Sequence, residues 1–188
     1  MNNLIDIYKD IIFKLLLTSN GRTTDILEVL AEEGLQLIVS NQTIDHELLG
    51  NGETTKCILR ESHILTRESK FILSHNYAKI YPEFTPDTLS EKIFKKKEGI
   101  GSNIKEMDII STRRIINYGW RESTNVVNLL NEKTQIVFDC KDPIPFKEYV
   151  VSFEQNGHSG IHLIEYFNPN ILFLMERKVK EPQNLLVK

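Results

Sequence analysis

The hydrophobic period of the chain changes from helical to strand-like near Gln36, and that change limits the possible folds more than any other feature. Before it, apolar residues recur at helical spacing. Leu4, Ile5, Ile7, Tyr8, Ile11, Ile12, Leu15 and Leu16 form one stripe, as an amphipathic helix over 4–17 requires. The stripe stops at Ser19-Asn20-Gly21. A second helix is expected from Thr23 or Thr24, each a natural N-cap, through Ile26, Leu27, Val29, Leu30 and Ala31 to a stop at Gly34. From Gln36 onward residues alternate instead, with Leu37, Val39 and Asn41 on one face and Gln36, Ile38 and Ser40 on the other.

After the change, strands dominate. Residues 54–65 and 71–80 are rich in β-forming side chains and are joined by Thr66-Arg67-Glu68-Ser69, a hairpin connection. A short helix is expected over 86–94, with Thr85 as its cap and Pro86 at its first position. Gly99-Ile100-Gly101-Ser102 reads as a break. Further strands are expected over 108–118, 147–153 and 160–167, the last two joined by a turn at Gln155-Asn156-Gly157-His158. Two or three helices against an antiparallel sheet make an α+β domain. Residues 121–146 stay open, because 126–130 suits a helix and 135–138 a strand. No repeat divides the 188 residues. One domain is therefore expected, with an extra segment around 121–146 and a C-terminal extension over 170–188 that carries the apolar run 171–175.

Composition narrows the partners. The formal net charge of −3 gives no global attraction to nucleic acid or to an anionic membrane. Cys57 and Cys140 are far apart and outside any Cys-x-x-Cys spacing, which points to free thiols in a reducing compartment. The first ten residues lack a basic segment followed by a clean apolar stretch, and no apolar run approaches the length of a membrane span. A cytoplasmic protein is expected; the oligomeric state is open.

The informative polar positions are those that strand alternation forces onto apolar faces. Arg60 shares a face with Ile58, Ser62 and Ile64, while Glu61 points the other way with Leu59 and His63. Glu165 shares a face with Ile161, Leu163 and Phe167. A guanidinium and a carboxylate on buried faces need partners. Either they pair structurally, or they enclose a pocket in which Arg60 clamps a carboxylate and Glu165 meets a hydroxyl.

Other signals are weaker. His158 and His162 are four apart but lie around a turn and strand, and no metal-ligand set is expected. Gly99-x-Gly101 lacks the third glycine and preceding strand of a dinucleotide loop. Lys95-Lys96-Lys97 reads as the solvated end of a helix, and Trp120 as a core or lid anchor.

Three segments in order carry a family resemblance: Ile58-Leu59-Arg60-Glu61, Gly99-Ile100-Gly101, and Glu165-Tyr166-Phe167-Asn168-Pro169. They resemble the motifs of chorismate pyruvate-lyases, which run from a Leu-Arg-Glu strand through a hairpin and a Pro-Leu-Gly turn to a Glu-x-Phe-x-Pro strand. Arg22-Thr23-Thr24 corresponds to the family's Ser-Met-Thr at the start of the second helix, and Thr112-Arg113 resembles a Thr-Arg pair in a later strand. The resemblance spans about 15–169. It implies a chorismate lyase-like fold and a cofactor-free elimination that releases pyruvate and 4-hydroxybenzoate from chorismate. Carried over, the ring-carboxylate contacts fall on Arg60 and on the backbone N–H groups of Thr23 and Ile100, and the hydroxyl contact on Glu165. Catalysis then rests on Glu165 and Arg60. Arg113, Arg114 or Lys147 is left to meet the second carboxylate.

The departures are Thr23 for a methionine, His75 where the family often has an arginine on the second hairpin strand, and the longer 121–146 and C-terminal segments. His75 is a further candidate for substrate contact. The same fold also serves as the effector-binding domain of bacterial transcription regulators, which bind small ligands without turnover. Those regulators carry a winged-helix domain ahead of it, for which the residues before Leu37 leave no room, so the lyase is the leading expectation. A partner-binding protein that keeps the fold without activity is the third.

Overall fold

A computed structural model describes residues 2–48, 52–95, 99–138, 143–153, 158–172 and 174, with side chains described from Ile7 onward. Helices α1 (Asn2–Thr18) and α2 (Thr23–Ala31) come first. Strands β1 (Leu35–Leu48), β2 (Thr54–Thr66) and β3 (Ile72–Ile80) follow. After a 3-10 turn over Pro82–Phe84 come α3 (Asp87–Phe94) and α4 (Ile100–Glu106). Strands β4 (Ser111–Arg121), β5 (Ile144–Phe153) and β6 (Ser159–Phe167) complete the order. The six strands form one antiparallel sheet in the order β1-β2-β3-β6-β5-β4. The α+β reading of the sequence therefore holds.

Helices cover one face of this sheet. At one end, α1 and α2 bury Phe13, Leu16, Leu17, Leu27 and Leu30 against Ile64, Phe167 and Ile171. At the other, Leu89 and Ile93 of α3 and Ile104 of α4 pack on Ile58, Ile80, Val151 and Ile161. Truncating one such leucine to alanine costs about 2–5 kcal/mol. The opposite face is covered by 122–138, within the stretch the sequence left open; its ends, Arg121 and 144–146, belong to β4 and β5, and the cover between forms neither an α-helix nor a strand. It makes a 3-10 turn (Ser123–Asn125) and an isolated bridge between Val127 and Lys133. Val126 and Phe138 sit on Tyr77, Ile144, Phe146, Ile164 and Tyr166. The Tyr166 hydroxyl donates to the Val127 carbonyl at 2.7 Å.

Several local expectations shift for tertiary reasons. The cap of α2 is Arg22, not a threonine, and no side chain caps that end, because the Thr23 hydroxyl bonds to Glu165 instead. The helix stops ahead of Gly34, at Glu32, which takes the left-handed conformation at φ 51°. Pro86 caps α3 from outside it, and Thr85 donates to the Gly160 carbonyl at 3.1 Å. Gly99-Ile100-Gly101-Ser102 is the start of α4, not a break. The strand expected over 108–118 begins three residues later, after Asp108 at φ 51°. A β-bulge between Val39 and Asn41 moves Asn41 opposite Glu61, onto the other face from Leu37. The expected 155–157 turn, Lys96, Lys97, Cys140 and the tail past Leu174 lie outside the described residues; Cys57 is buried as a free thiol.

Candidate functional site

Between the two helical packings the helix-covered face is open, and the reason lies in the register. One row across the sheet reads Val39, Ser62, Asn76, Glu165, Lys147, Tyr118, and the next reads Gln42, Arg60, Ala78, Leu163, Tyr149, Ile115. Arg60 on β2 and Glu165 on β6 flank β3, two strand spacings or about 10 Å apart. Between them β3 offers only Ala78 and Asn76. Small side chains between large polar ones leave a cavity of about 510 Å³. Arg60, Ser62, Asn76, Ala78, Tyr149, Leu163 and Glu165 floor it, the start of α2 (Arg22, Thr23, Thr24) walls one side, and 99–102 with Ile104 the other.

The structure thus brings Arg60, Thr23, Ile100 and Glu165 to a single cavity. Arg60 is 3% exposed, and burial lowers its pKa to about 10, which still leaves it charged at neutral pH. Arg22, Arg67 and Arg113 stand at the same cavity. Arg22 is tied to Asp25 at 3.0 Å, and Arg113 donates to the Gly21 carbonyl at 2.7 Å. Neither α2 nor α4 has a side-chain cap, and their first residues, Thr23 and Ile100, line the cavity.

Glu165 is held from several directions. The Thr23 hydroxyl donates to its Oε2 at 2.7 Å, the Lys147 ammonium lies 3.8 Å from the same oxygen, and Tyr149 lines the same cavity. Lys147 is only 2% exposed and also donates to Thr23 Oγ1 at 3.0 Å and to the Leu16 carbonyl at 3.1 Å. Burial lowers the Lys147 pKa, partly opposed by the charge of Glu165. Burial, and then the Glu165 charge, push the Tyr149 hydroxyl well above its ordinary range. The lysine that the sequence offered for a second carboxylate is therefore a staple between α1, α2 and the sheet. Arg114 is exposed and not among the lining residues; of the three cations considered, Arg113 is the one at the cavity.

His75 is not at the cavity. It pairs with His63 across β2 and β3 and with Tyr166 across β3 and β6, on the face away from α1–α4. The physical reason is alternation: Asn76 and Ala78 take the inward positions on β3, so His75 and Tyr77 point out. His158 and His162 have separate partners, the Phe84 ring and Glu148. Lys95 caps α3 and is exposed. Trp120 is half-exposed and meets the Phe13 ring edge-on at 5.2 Å. Sequence reasoning missed Ser62, Asn76 and Tyr149 as cavity residues. Alternation placed Ser62 beside Arg60, but Asn76 and Tyr149 needed the strand pairing.

No protein family matches the chain, and no curated protein matches it in sequence. Solved structures do match in shape. PhnF from Mycobacterium smegmatis superimposes with a TM-score of 0.53 at 11% identity, covering 80% of this chain and 65% of that one. The effector domain of PhnF from the same organism gives a TM-score of 0.49 at 12% identity, over 81% and 91%. The chain thus spans about two-thirds of the length of the first of these. What the likeness establishes is architecture: an α+β chorismate lyase-like fold. No described helix is long and apolar enough to cross a membrane.

Proposed function

We propose that this domain binds a small organic acid in the 510 Å³ cavity and does not transform it. The observation that carries this reading is that two buried charges of opposite sign, Arg60 and Glu165, line one cavity. Arg60 projects into a cavity with polar neighbours and can receive a carboxylate through its planar fork. Glu165 is held by the Thr23 hydroxyl, with the Lys147 ammonium 3.8 Å away. A carboxylate held in this way is positioned to meet a ligand hydroxyl. Effector binding, the role named for the PhnF domain of similar shape, comes to this chain on that footing. The resident molecule then carries a carboxylate for Arg60 and a hydroxyl for Glu165, on an apolar body that suits Leu163, Ile104 and Val151.

The chorismate lyase reading is second. It is favoured by the meeting of Arg60, Thr23, Ile100 and Glu165 around one cavity, the set that the family resemblance singles out. One pair of measurements separates the two. Calorimetric titration with 4-hydroxybenzoate and other small hydroxy acids is expected to show one site per chain. Incubation with chorismate, followed by chromatography for 4-hydroxybenzoate and pyruvate, is expected to show no enzyme-dependent product. Product formed in proportion to protein would replace the first reading with the second. Absence of both binding and turnover would refute each.

A further inference from the structure

On the sheet face away from the cavity, Glu61, His63 and His75 converge. Glu61 and His63 are two apart on β2 and so share a face, and His75 lies directly opposite His63 on β3. One nitrogen from each imidazole and one carboxylate oxygen all lie within 4.8 Å of one another. The two imidazole rings meet edge-on with centroids 4.4 Å apart.

A purely structural role accounts for only part of this arrangement. The Nε2 of His75 is 2.7 Å from Glu61 Oε1, a satisfactory hydrogen bond. That leaves Nδ1 of His75, a residue with 0% exposure, and Nε2 of His63 buried with no hydrogen-bond partner among the described residues. Buried polar atoms without partners are uncommon in folded proteins and often mark a water or an ion. His75 meets Glu61 through Nε2 and not through the unpartnered Nδ1; two imidazoles beside one carboxylate make the donor set of a transition-metal site rather than of a core.

We propose that Glu61, His63 and His75 bind one divalent transition-metal ion of the zinc class. Neutral imidazole with carboxylate suits such ions, whereas calcium and magnesium prefer all-oxygen shells. Ligands held about 2.1 Å from a tetrahedral zinc stand about 3.4 Å apart. Closing the present triangle therefore needs about 1 Å of side-chain movement. Glu61 can supply it, since its side chain is 30% exposed. Its carboxylate also borders a second cavity of about 180 Å³, lined further by Tyr77, Asn128 and Glu132, which gives an ion and its remaining water a way in. The Tyr77 hydroxyl, 3.5 Å from Glu61 Oε1 and 2.7 Å from Thr134 Oγ1, orients that carboxylate from outside the ligand set. Three protein ligands leave the fourth position to water or to a partner's donor.

The test uses the full chain, stripped by chelation and titrated with Zn²⁺ by calorimetry and with Co²⁺ by visible absorption. One ion per chain is expected, with Mg²⁺ and Ca²⁺ without effect. Glu61→Gln and His63→Gln, both at half-buried positions, should each weaken binding on the order of 10- to 100-fold or more. His162→Gln, at the separate His162–Glu148 pair, should not. Failure of Zn²⁺ to bind, or binding unchanged in both ligand variants, overturns the site. Should either variant fail to fold, the wild-type imidazole ¹⁵N resonances decide. Zn²⁺ is expected to move two of the five histidines, and shifts confined to His46, His158 or His162 refute the proposal.

Discussion

Replacing Arg60 by methionine should raise the stability of the domain while removing ligand binding. The guanidinium is buried, and burial alone brings its pKa down to about 10. At about 1.4 kcal/mol for each tenfold change in proton affinity, that displacement corresponds to about 3 kcal/mol by which the folded chain disfavours the charge. Methionine fills a similar volume without a charge to desolvate. The hydrogen bonding lost with the guanidinium offsets part of the gain, at about 1–2 kcal/mol. A net gain of about 1–2 kcal/mol remains, or about 2–8 °C in Tm for a chain of this size. Binding should fall by about 100-fold or more, since a charge-assisted bidentate contact contributes roughly 3 kcal/mol or more. Thermal and urea unfolding read the first effect, and titration with 4-hydroxybenzoate the second. An Arg60→Met chain that melts several degrees lower, or that binds as the wild type does, would refute the reasoning: Arg60 would then be a structural residue.

Glu165→Gln keeps the shape at the cavity but removes the counter-charge of buried Lys147, so urea unfolding should show a loss of about 2–4 kcal/mol. If chorismate is turned over at all, the same variant should slow it by about 10²- to 10⁴-fold, and equal rates at saturating chorismate would move the chemistry off Glu165. Gly160→Ala should destabilise strongly, by about 2–4 kcal/mol, because the added methyl would overlap the Phe84 carbonyl and the Thr85 hydroxyl; circular dichroism melts check this, and an unchanged Tm would show that the Pro82–Phe84 turn yields freely. Organic-acid binding in the cavity should survive exhaustive chelation unchanged, since the Glu61–His63–His75 group lies on the other face of the sheet; loss of acid binding on chelation, restored by Zn²⁺, would contradict that separation.

Alternation within each strand was sufficient to group Arg60 with Ile58 and Ser62, and Glu165 with Leu163 and Phe167, and the change of period near Gln36 was sufficient for two leading helices followed by strands of an antiparallel sheet. Those are short-range properties: side-chain direction in a strand repeats every two residues whatever the strand pairs with. The strand order decided the rest. Placing β3 between β2 and β6 separated Arg60 from Glu165 and put Ala78 and Asn76 between them, so two charges that alternation alone allowed to pair became separate points on the floor of one cavity. Alternation along β3 then turned His75 away from that cavity, and the β2–β3 pairing set it across from His63. The cover over 123–138 has neither period because turns and single side chains hold it, and Thr23 left its cap because Glu165 and Lys147 arrive from strands more than a hundred residues away. Which residues share a face is a local matter of backbone geometry; which faces meet depends on long-range register, and no local pattern encodes it.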